Sequence, residues 1–331
     1  MPPTKALNEA VALIRASQRI AIAAHVSPDV DAIGSTLGLG LALQSLGKQV
    51  LLLSEDGVPE NLRFLPGAGL LRDALPPDFV PDLFIGLDSS DPDRLGDIVR
   101  PLLDGRIPVL NVDHHITNLN FGAINVVMPE CAATAEVIVV LLDALGVPLG
   151  EDVAGCLMAG LVGDTRGFSV ASVTPATFEV AARLLAAGAD LAAISEAVLN
   201  RRSVGILRFW GVALSNLHLE DGLLWATVSL EERRRLDLME IQKPELTNVL
   251  ISAEEAEVAV LFTEKPDGLV DVSFRAKPGH DVAGVALALG GGGHPLAAGC
   301  EIEGPLDSAV RRVIGLLRER IALPAGGDGE R

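Results

Sequence analysis

The chain of 331 residues is long enough for two domains of ordinary size with buried cores. Its net charge of −18 argues against a broad grip on long nucleic acid, which needs a basic face, but leaves room for a short anionic substrate. No long apolar run, no signal peptide and no disulfide framework are found, which favours a cytoplasmic location without membrane association.

The first polar cluster follows a buried strand predicted at residues 20–24 and precedes a predicted helix. His25, Asp29 and Asp31 therefore lie on a strand-to-helix turn. The two carboxylates can point to opposite sides of such a turn and reach two different metal ions. Alternatively, Asp31 or Ser35 caps the helix and His25 is an ordinary surface residue. The cluster alone does not decide between these interpretations.

Further carboxylates follow the next predicted strands, which lie at residues 49–53, 82–87 and 107–112. The second of these ends in Asp88, and the third leads into Asp113, His114 and His115. Strands that alternate with helices predict a parallel sheet, in which sites form beyond the carboxyl ends of the strands. Acidic groups that arrive there from separate strands favour a metal site over independent helix caps.

A fourth cluster, Gly163-Asp164-Thr165-Arg166, follows an apolar helix predicted over residues 153–162. A carboxylate at a helix C-terminus is electrostatically unfavourable, because the helix dipole is negative there. Asp164 is therefore expected to have a cationic partner. We favour a metal ion as that partner, with Arg166 as the structural alternative.

The clusters together supply four carboxylates and two imidazoles: His25, Asp29, Asp31, Asp88, His114 and Asp164, with Asp113 and His115 beside them. This donor set, which lacks thiolates, suits a pair of hard to borderline divalent ions such as Mn²⁺ or Mg²⁺. Two such ions can share a hydroxide, lower its pKa and stabilise the attacking and leaving oxygens of phosphate hydrolysis. The chain has no Walker A loop, nucleophile elbow or catalytic Cys–His arrangement that would compete with this chemistry.

The last third of the chain is predicted to be a separate α/β domain, with strands at 223–229, 257–263 and 269–276 and helices at 240–252 and 282–289. Arg275, near the end of the last strand, is either an ordinary charged strand end or a substrate contact. Four consecutive glycines at 290–293 are costly in backbone entropy, so they indicate a close approach. Exposed N–H groups there could bind an anion, and His294 could donate to a phosphate or stack on a base.

The motifs HVSPDVDAIGS, LDSSD, VDHH and GDTRGF, in this order, resemble the four motifs of the DHH phosphoesterase family. The run from Gly290 to Gly299 resembles the glycine-rich signature of the associated C-terminal domain. The resemblance spans roughly residues 18–305 and is closest to the branch of bacterial oligoribonucleases and 3′-phosphoadenosine-5′-phosphate (pAp) phosphatases, the nanoRNases.

Together with the predicted elements, this resemblance implies a two-domain α/β protein. The expected parts are a parallel-sheet DHH domain at 1–190, a helical connector at 191–216, a smaller substrate-binding domain at 217–324 and a disordered tail at 325–331. The smaller domain is expected to face the metal site across a cleft.

On the matching positions, the resemblance implies that one ion is held by His25, Asp29 and Asp88. It implies that the other is held by Asp31, Asp88, His114 and Asp164, so that Asp88 bridges the two. Asp113 would orient a ligand and His115 would face the scissile phosphate. The distal part of the substrate would contact Arg275, Gly291, Gly292, Gly293 and His294.

Two positions depart from the family pattern: Val30 and Arg166 both stand where glycine is common. Neither is a predicted ligand. Arg166 either adds a cation near the substrate or pairs with a surface acid.

The activity implied is Mn²⁺-dependent hydrolysis of short RNA oligonucleotides to 5′-mononucleotides and of pAp to AMP and phosphate, with Mg²⁺ or Co²⁺ as alternative metals. The alternatives are a cyclic dinucleotide (c-di-AMP/pApA) phosphodiesterase, a manganese inorganic pyrophosphatase or, outside the enzymes, a nucleotide-binding regulator. The expected partners are these short substrates, without long nucleic acid or membrane, and a homodimer is left open.

Overall fold

The strands that precede the polar clusters form one parallel sheet in the first part of the chain. The computed structural model describes residues 5–241 and 246–320 and divides the chain into two units between Arg201 and Arg202. The strands of the first unit are β1 (Arg19–Ala23), β2 (Gln49–Leu53), β3 (Leu71–Arg72), β4 (Leu83–Leu87), β5 (Val109–Asp113) and β6 (Ile124–Val127). They are arranged in the order β3-β2-β1-β4-β5-β6. The order reverses direction between β1 and β4, which is where open parallel sheets bind ligands.

The strands of this sheet are nearly continuous apolar runs, because helices and turns cover both faces. Every residue of β4 and of β5 is buried, as expected for strands covered on two sides. The helices of the unit are α1 (Lys5–Ala16), α2 (Val30–Ser45), α3 (Thr134–Leu145), α4 (Glu151–Asp164), α5 (Pro175–Ala186) and α6 (Leu191–Ser195). A π-helical turn at Glu196–Asn200 continues α6. The predicted α/β class with a parallel sheet is confirmed, although β3 and β6 were not predicted.

The second unit has a mixed sheet of its own. Its strands are β7 (Leu217–Glu220), β8 (Leu223–Val228), β9 (Val258–Glu264), β10 (Leu269–Ala276), β11 (Gly292–His294) and β12 (Ala297–Glu303), in the order β11-β12-β10-β9-β8-β7. Among the strands that the structure describes in this unit, only β8 and β9 are parallel neighbours. The helices are α7 (Val204–Ser215), α8 (Leu230–Arg235), α9 (Thr247–Leu250), α10 (Ala283–Ala288) and α11 (Leu306–Arg320).

Two predicted elements of the second half differ from the structure. The helix predicted at 240–252 is reduced to α9, with residues 242–245 outside the described ranges. The helical stretch predicted at 191–216 is interrupted at residues 201–203, where Ser203 caps α7 through its hydroxyl. The predicted tail at 325–331 also lies outside the described residues. Within the described residues, no helix is both long and apolar enough to span a bilayer.

The close packing of α2 on α4 depends on glycine at Gly34. A Cβ atom added there would lie 2.5 Å from the carbonyl oxygen of Cys156 and 3.0 Å from the amide nitrogen of Gly160. Neither backbone atom can move without moving α4. The two helices therefore approach each other as closely as their backbones allow.

We expect Gly34→Ala to lower the free energy of unfolding by about 1–3 kcal/mol, because overpacking forces the two helices apart. Gly155→Ala is the matched control, since a Cβ atom at Gly155 on α4 would meet no atom within 4 Å. The control should stabilise the chain by about 0.5–1 kcal/mol through helix propensity. Urea unfolding followed by far-UV circular dichroism measures both. Equal stability of the two variants would contradict the packing argument.

Candidate metal centre

The polar clusters meet at the carboxyl ends of β1 and β4, at the point where the strand order reverses. Asp29 is the N-cap of α2, and its Oδ1 accepts the backbone N–H of Ala32 at 3.0 Å. The alternative in which Asp31 or Ser35 caps this helix is therefore wrong. Asp29 takes that place because it directly precedes the first helical residue, which leaves Asp31 free to point elsewhere.

His25, Asp29 and Asp88 form a first group of metal-competent side chains, whose ligand atoms lie within 4.8 Å of one another. The Nε2 atom of His25 lies 3.8 Å from Asp29 Oδ2 and 3.8 Å from Asp88 Oδ2. Its Nδ1 atom lies 2.8 Å from the carbonyl oxygen of Val26, to which it must donate. The other ring nitrogen, Nε2, therefore faces the two carboxylates.

Asp31, His114 and Asp164 form a second group within the same 4.8 Å limit. His114 Nε2 lies 3.2 Å from Asp164 Oδ2, while His114 Nδ1 lies 3.2 Å from the carbonyl oxygen of Cys131. Asp164 is the last residue of α4, and His114 is the cation that faces it. Arg166 is exposed and, within 5–241 and 246–320, forms no salt bridge with a carboxylate, so it is not the partner of Asp164.

Asp88 lies between the two groups. One of its oxygens, Oδ2, faces His25 at 3.8 Å, and the other, Oδ1, faces His114 Nε2 at 3.8 Å. The residue directly follows β4 and has a φ of 54°, in the left-handed region that non-glycine residues seldom adopt. This turn directs the carboxylate back across the end of the sheet. Backbone strain of this kind is concentrated at functional sites.

Asp31 is 1% exposed and has all of its hydrogen bonds within the protein. It accepts the backbone N–H groups of Thr134 at 2.6 Å and Ala135 at 3.0 Å, and the hydroxyl of Ser35 at 3.1 Å. Those two amides begin α3, whose N-cap residue Ala133 offers no side-chain acceptor. The hydroxyl of Thr134 donates to Asp88 at 2.8 Å. Thr134 was not predicted, because its role depends on a contact between residues far apart in the chain.

Asp113 holds His115 in place. Its Oδ1 accepts the ring Nδ1–H of His115 at 2.7 Å, and its Oδ2 accepts Nδ2–H of Asn118 at 2.6 Å. The side chain of His115 is 38% exposed, and the Nδ1 contact leaves its Nε2 free. Burial raises the pKa of Asp113, but the hydrogen bonds from His115 and Asn118 outweigh burial and lower it. Asn118 was also missed, since no sequence pattern connects an asparagine in a polar loop to the aspartate five residues earlier.

Asp88, His114 and His115 also lie within 4.8 Å of one another, so His115 could serve as a ligand as well as a phosphate contact. The distance from His115 Nδ1 to Asp88 Oδ1 is 3.7 Å, longer than its contact with Asp113. The shorter contact with Asp113 occupies Nδ1. Only Nε2 then remains for substrate.

The electrostatics of the site fit a divalent cation. Burial, and then the charges of Asp31, Asp29 and Asp164, raise the pKa of Asp88 well above its usual range. Burial and Asp164 likewise raise the pKa of Asp31 to about 7. Burial lowers the pKa of His114, but its hydrogen bond to Asp164 and the charge of Asp31 raise it to about 9. Buried carboxylates that repel one another in this way require positive charge, and their oxygen and imidazole donors suit divalent metals without thiolates.

The predicted substrate-binding residues lie in the second unit. Arg275, on β10, donates from Nε to Asn248 Oδ1 at 2.8 Å and from Nη1 to the carbonyl oxygen of Phe274 at 2.9 Å. The glycine run ends α10, and β11 then pairs antiparallel with β12 at the edge of the sheet. Gly293 has a φ of 140°, and a Cβ atom there would lie 2.5 Å from the carbonyl oxygen of Ala297. At Gly293, the close approach that the glycine run indicates is therefore made by the neighbouring strand β12 of the same sheet.

The rest of this run is open to solvent. A Cβ atom at Gly292 would meet no atom within 4 Å, and His294 is exposed. Gly291, by contrast, faces the backbone of Gly299 and Cys300 without room for a side chain. The exposed turn that was predicted is thus an edge strand, with Gly292 and His294 available for a ligand.

Comparisons with known proteins agree with these motifs. Residues 19–161 match the model of the DHH family, N-terminal domain, and residues 242–322 match the DHHA1 domain. The chain is 37% identical over 306 residues to the bifunctional oligoribonuclease and PAP phosphatase NrnA of Thermus thermophilus, covering 91% of this chain and 90% of that protein. It is 25% identical over 308 residues to the cyclic-di-AMP phosphodiesterase PdeA of Listeria monocytogenes, covering 88% of this chain and 45% of that protein.

A solved structure is similar over the whole length. An exopolyphosphatase-related protein from Bacteroides fragilis has a TM-score of 0.88 at 25% identity, covering 95% of this chain and 96% of that chain. Both units of the present fold therefore recur together in a related protein.

We expect Mn²⁺ to raise the unfolding temperature and a chelator to reverse the rise. An ion at 100 times its dissociation constant stabilises the folded state by about 2.7 kcal/mol. Asp88→Asn should lose most of this stabilisation, because the carboxylate of Asp88 faces both groups of metal-competent side chains. Asp97→Asn, at an exposed aspartate paired with Arg100, is the matched control.

Thermal scans by far-UV circular dichroism measure this shift. Tryptophan fluorescence would report on the second unit instead, because both tryptophans, Trp210 and Trp225, lie there. A shift in Asp88→Asn as large as in the wild type would exclude Asp88 as a shared ligand.

Proposed function

The chain belongs to the DHH family, and we propose that it is a metal-dependent phosphoesterase that hydrolyses short RNA oligonucleotides to 5′-mononucleotides and pAp to AMP and phosphate. The observation that carries this proposal is the pair of carboxylate–imidazole groups on either side of Asp88. The activity named for the Thermus thermophilus relative supports the substrates, since that similarity extends over 90% of the relative.

We propose that His25, Asp29 and Asp88 hold one Mn²⁺ ion and that the other is held by Asp31, Asp88, His114 and Asp164. Two ions so held would polarise a phosphate and lower the pKa of a bound water. The orientation of His25 supports this assignment, because its Nδ1–H is fixed on the carbonyl oxygen of Val26 and its Nε2 faces the carboxylates of Asp29 and Asp88. An imidazole hydrogen bonded at one nitrogen in this way is oriented for ligation at the other.

His115 is proposed to contact the scissile phosphate. Its Nδ1–H is held by Asp113, which leaves Nε2 as the nitrogen that can hydrogen bond to a phosphate oxygen. Asp113 acts as a positioning residue, because the hydrogen bonds from Asn118 and His115 keep it ionised and fixed. Asp88 has the remaining catalytic role, as the carboxylate that both sides of the site share.

The second unit is proposed to bind the distal part of the substrate. The residues that would do so are Arg275, Gly291, Gly292, Gly293 and His294. The exposed edge strand β11 and the exposed imidazole of His294 support this assignment. We accordingly propose residues 1–190 as the metal-binding domain, 191–216 as the connector and 217–324 as the substrate-binding domain.

We also propose a reducing, cytoplasmic setting. Cys131, Cys156 and Cys300 are all free and buried. Burial raises the pKa of Cys131 and Cys156 to about 12 and that of Cys300 to about 11, so none is a reactive thiolate at neutral pH.

A cyclic dinucleotide phosphodiesterase is the second candidate. The observation in its favour is the similarity to the Listeria monocytogenes phosphodiesterase, which reaches 25% identity over 88% of this chain. The chain spans slightly less than half of that relative's length, so the similarity is weaker support than that of the Thermus thermophilus protein.

A hydrolysis panel with Mn²⁺ tests the proposed activity. The substrates are a 5′-labelled RNA dinucleotide, a 24-mer, pAp, cyclic di-AMP and pyrophosphate, with Asp88→Ala as the inactive control. We expect rapid turnover of the dinucleotide and pAp and slow turnover of the 24-mer, because the net charge of −18 repels a long polyanion. Asp88→Ala should lose activity by a factor of at least about 100, as expected when a shared metal ligand is removed.

Each other result has a definite meaning. Preference for cyclic di-AMP, pyrophosphate or the 24-mer would refute the proposed substrates but keep the metal chemistry. No turnover, with retained nucleotide binding, would favour a nucleotide-binding regulator. Near wild-type activity of Asp88→Ala would refute the proposed site.

Asn118→Ala should lower kcat for pAp by about 10- to 100-fold, because a buried carboxylate oxygen that loses its donor costs about 1–3 kcal/mol. The dissociation constant for Mn²⁺ should change by less than about threefold, since Asn118 contacts Asp113 and no proposed ligand. Asn8→Ala, at an exposed asparagine on α1, is the control. Weakened metal binding with unchanged kcat would show that Asn118 supports the metal site and not His115.

A further inference from the structure

Arg94 lies beside the first ligand group without being part of it. It is carried by the 3-10 turn Pro92–Leu95, which follows the Asp88 loop and is capped by the side chain of Asp91. The carbonyl oxygen of Arg94 accepts the N–H of Val26 at 2.7 Å, which fixes the turn against the residue next to His25. The guanidinium Nη2 lies 3.4 Å from His25 Nδ1.

The contact between Arg94 and His25 is not a productive hydrogen bond. His25 Nδ1 donates its hydrogen to the carbonyl oxygen of Val26 at 2.8 Å, and a carbonyl can only accept. A guanidinium also only donates, so two donors face each other at 3.4 Å. The guanidinium of Arg94 therefore lies next to the imidazole ring of His25 but does not donate a hydrogen bond to it.

Arg94 also lacks a carboxylate partner. In the described part of the chain, no Asp or Glu oxygen lies within 4.0 Å of its side-chain nitrogens. Three other exposed arginines of this unit do pair with acids: Arg100 with Asp97, Arg106 with Asp104 and Arg183 with Asp143. In a chain with a net charge of −18, Arg94 is an exposed guanidinium next to a proposed metal ligand, His25, and without an acid of its own. Its position suits an anion that arrives with the substrate.

The anion is not the scissile phosphate. Asp88 belongs to the first ligand group and faces His114 of the second at 3.8 Å, so the reacting phosphate is placed there, next to His25 Nε2. The guanidinium contacts the opposite nitrogen of that ring, Nδ1, and so lies outside the ligand group. A second phosphate of the same substrate is the anion that fits a guanidinium placed beside the ligand group and outside it.

We infer that Arg94 binds a second, non-scissile phosphate of the substrate and so selects nucleotides that carry two phosphates. This inference rests on the proposed function. In pAp the 3′-phosphate would be hydrolysed while Arg94 holds the 5′-phosphate, which remains on the AMP product. Arg94 is thus a specificity residue of the metal-bearing unit itself.

The test compares pairs of substrates that differ only in the second phosphate. We expect Arg94→Gln to lower kcat/KM for pAp by about 10- to 100-fold, the usual effect of losing a charge-assisted hydrogen bond. Its kcat/KM for adenosine 3′-phosphate should stay within about threefold of the wild type. Arg94→Lys should recover part of the preference, because a lysine keeps the charge but not the planar fork. Arg100→Gln, on the next 3-10 turn, is the matched control.

Equal losses on pAp and adenosine 3′-phosphate would place Arg94 at the reacting phosphate and overturn the inference. An unchanged preference for pAp in Arg94→Gln would overturn it as well. Calorimetric Mn²⁺ binding should be the same in Arg94→Gln and wild type, and a loss of binding would assign Arg94 to the metal site instead.

A wild type that hydrolyses neither nucleotide would refute the proposed function but would still leave Arg94 testable. In that case, calorimetry with chelator-treated protein compares binding of pAp and adenosine 3′-phosphate. Selective weakening of pAp binding by Arg94→Gln supports the inference, and equal or absent weakening contradicts it.

Discussion

The carboxylate of Asp31 connects the helical core of the first unit to its metal-competent site. It comes from α2 and caps the buried N-terminus of α3 through the amides of Thr134 and Ala135. On its other side α4 carries Gly160, where a Cβ atom would lie 2.5 Å from Asp31 Oδ1. Three helices thus meet at one carboxylate. Any change that moves Asp31 must also uncap α3 or separate α2 from α4.

Because of this arrangement, the fold holds the carboxylates of the site close together against their mutual electrostatic repulsion. The fold holds Asp31 and Asp88 in buried positions near Asp29 and Asp164, and burial with mutual repulsion raises the pKa of both. Hydrogen bonds from Thr134 compensate only part of that cost. Divalent cations would remove the rest, because they replace repulsion between carboxylates with attraction to a shared charge. Stability and metal affinity are therefore two effects of the same side chains.

The sequence was sufficient for the features that depend on local pattern. Apolar runs predicted β1, β2, β4 and β5, and polar residues after three of those strands predicted where the site would form. Asn118, Thr134 and Arg94 were not predicted, because their roles depend on contacts between loops that no spacing in the chain reveals. The glycine run was interpreted as a turn, although Gly292–His294 pair with β12. Tertiary pairing decided that conformation, since glycine has no strong preference of its own.

The charge distribution fits the proposed preference for short anionic substrates. The net charge of −18 repels a polyanion at a distance, and three exposed arginines of the first unit, Arg100, Arg106 and Arg183, are paired with local acids. Arg94 and Arg166 each have no carboxylate partner among the described residues. Arg166 follows Asp164 at a φ of 48°, where the related motif commonly has glycine. The attraction that the proposed metal site, His115 and Arg94 would offer is local, so it would act over one or two phosphates rather than along a whole strand.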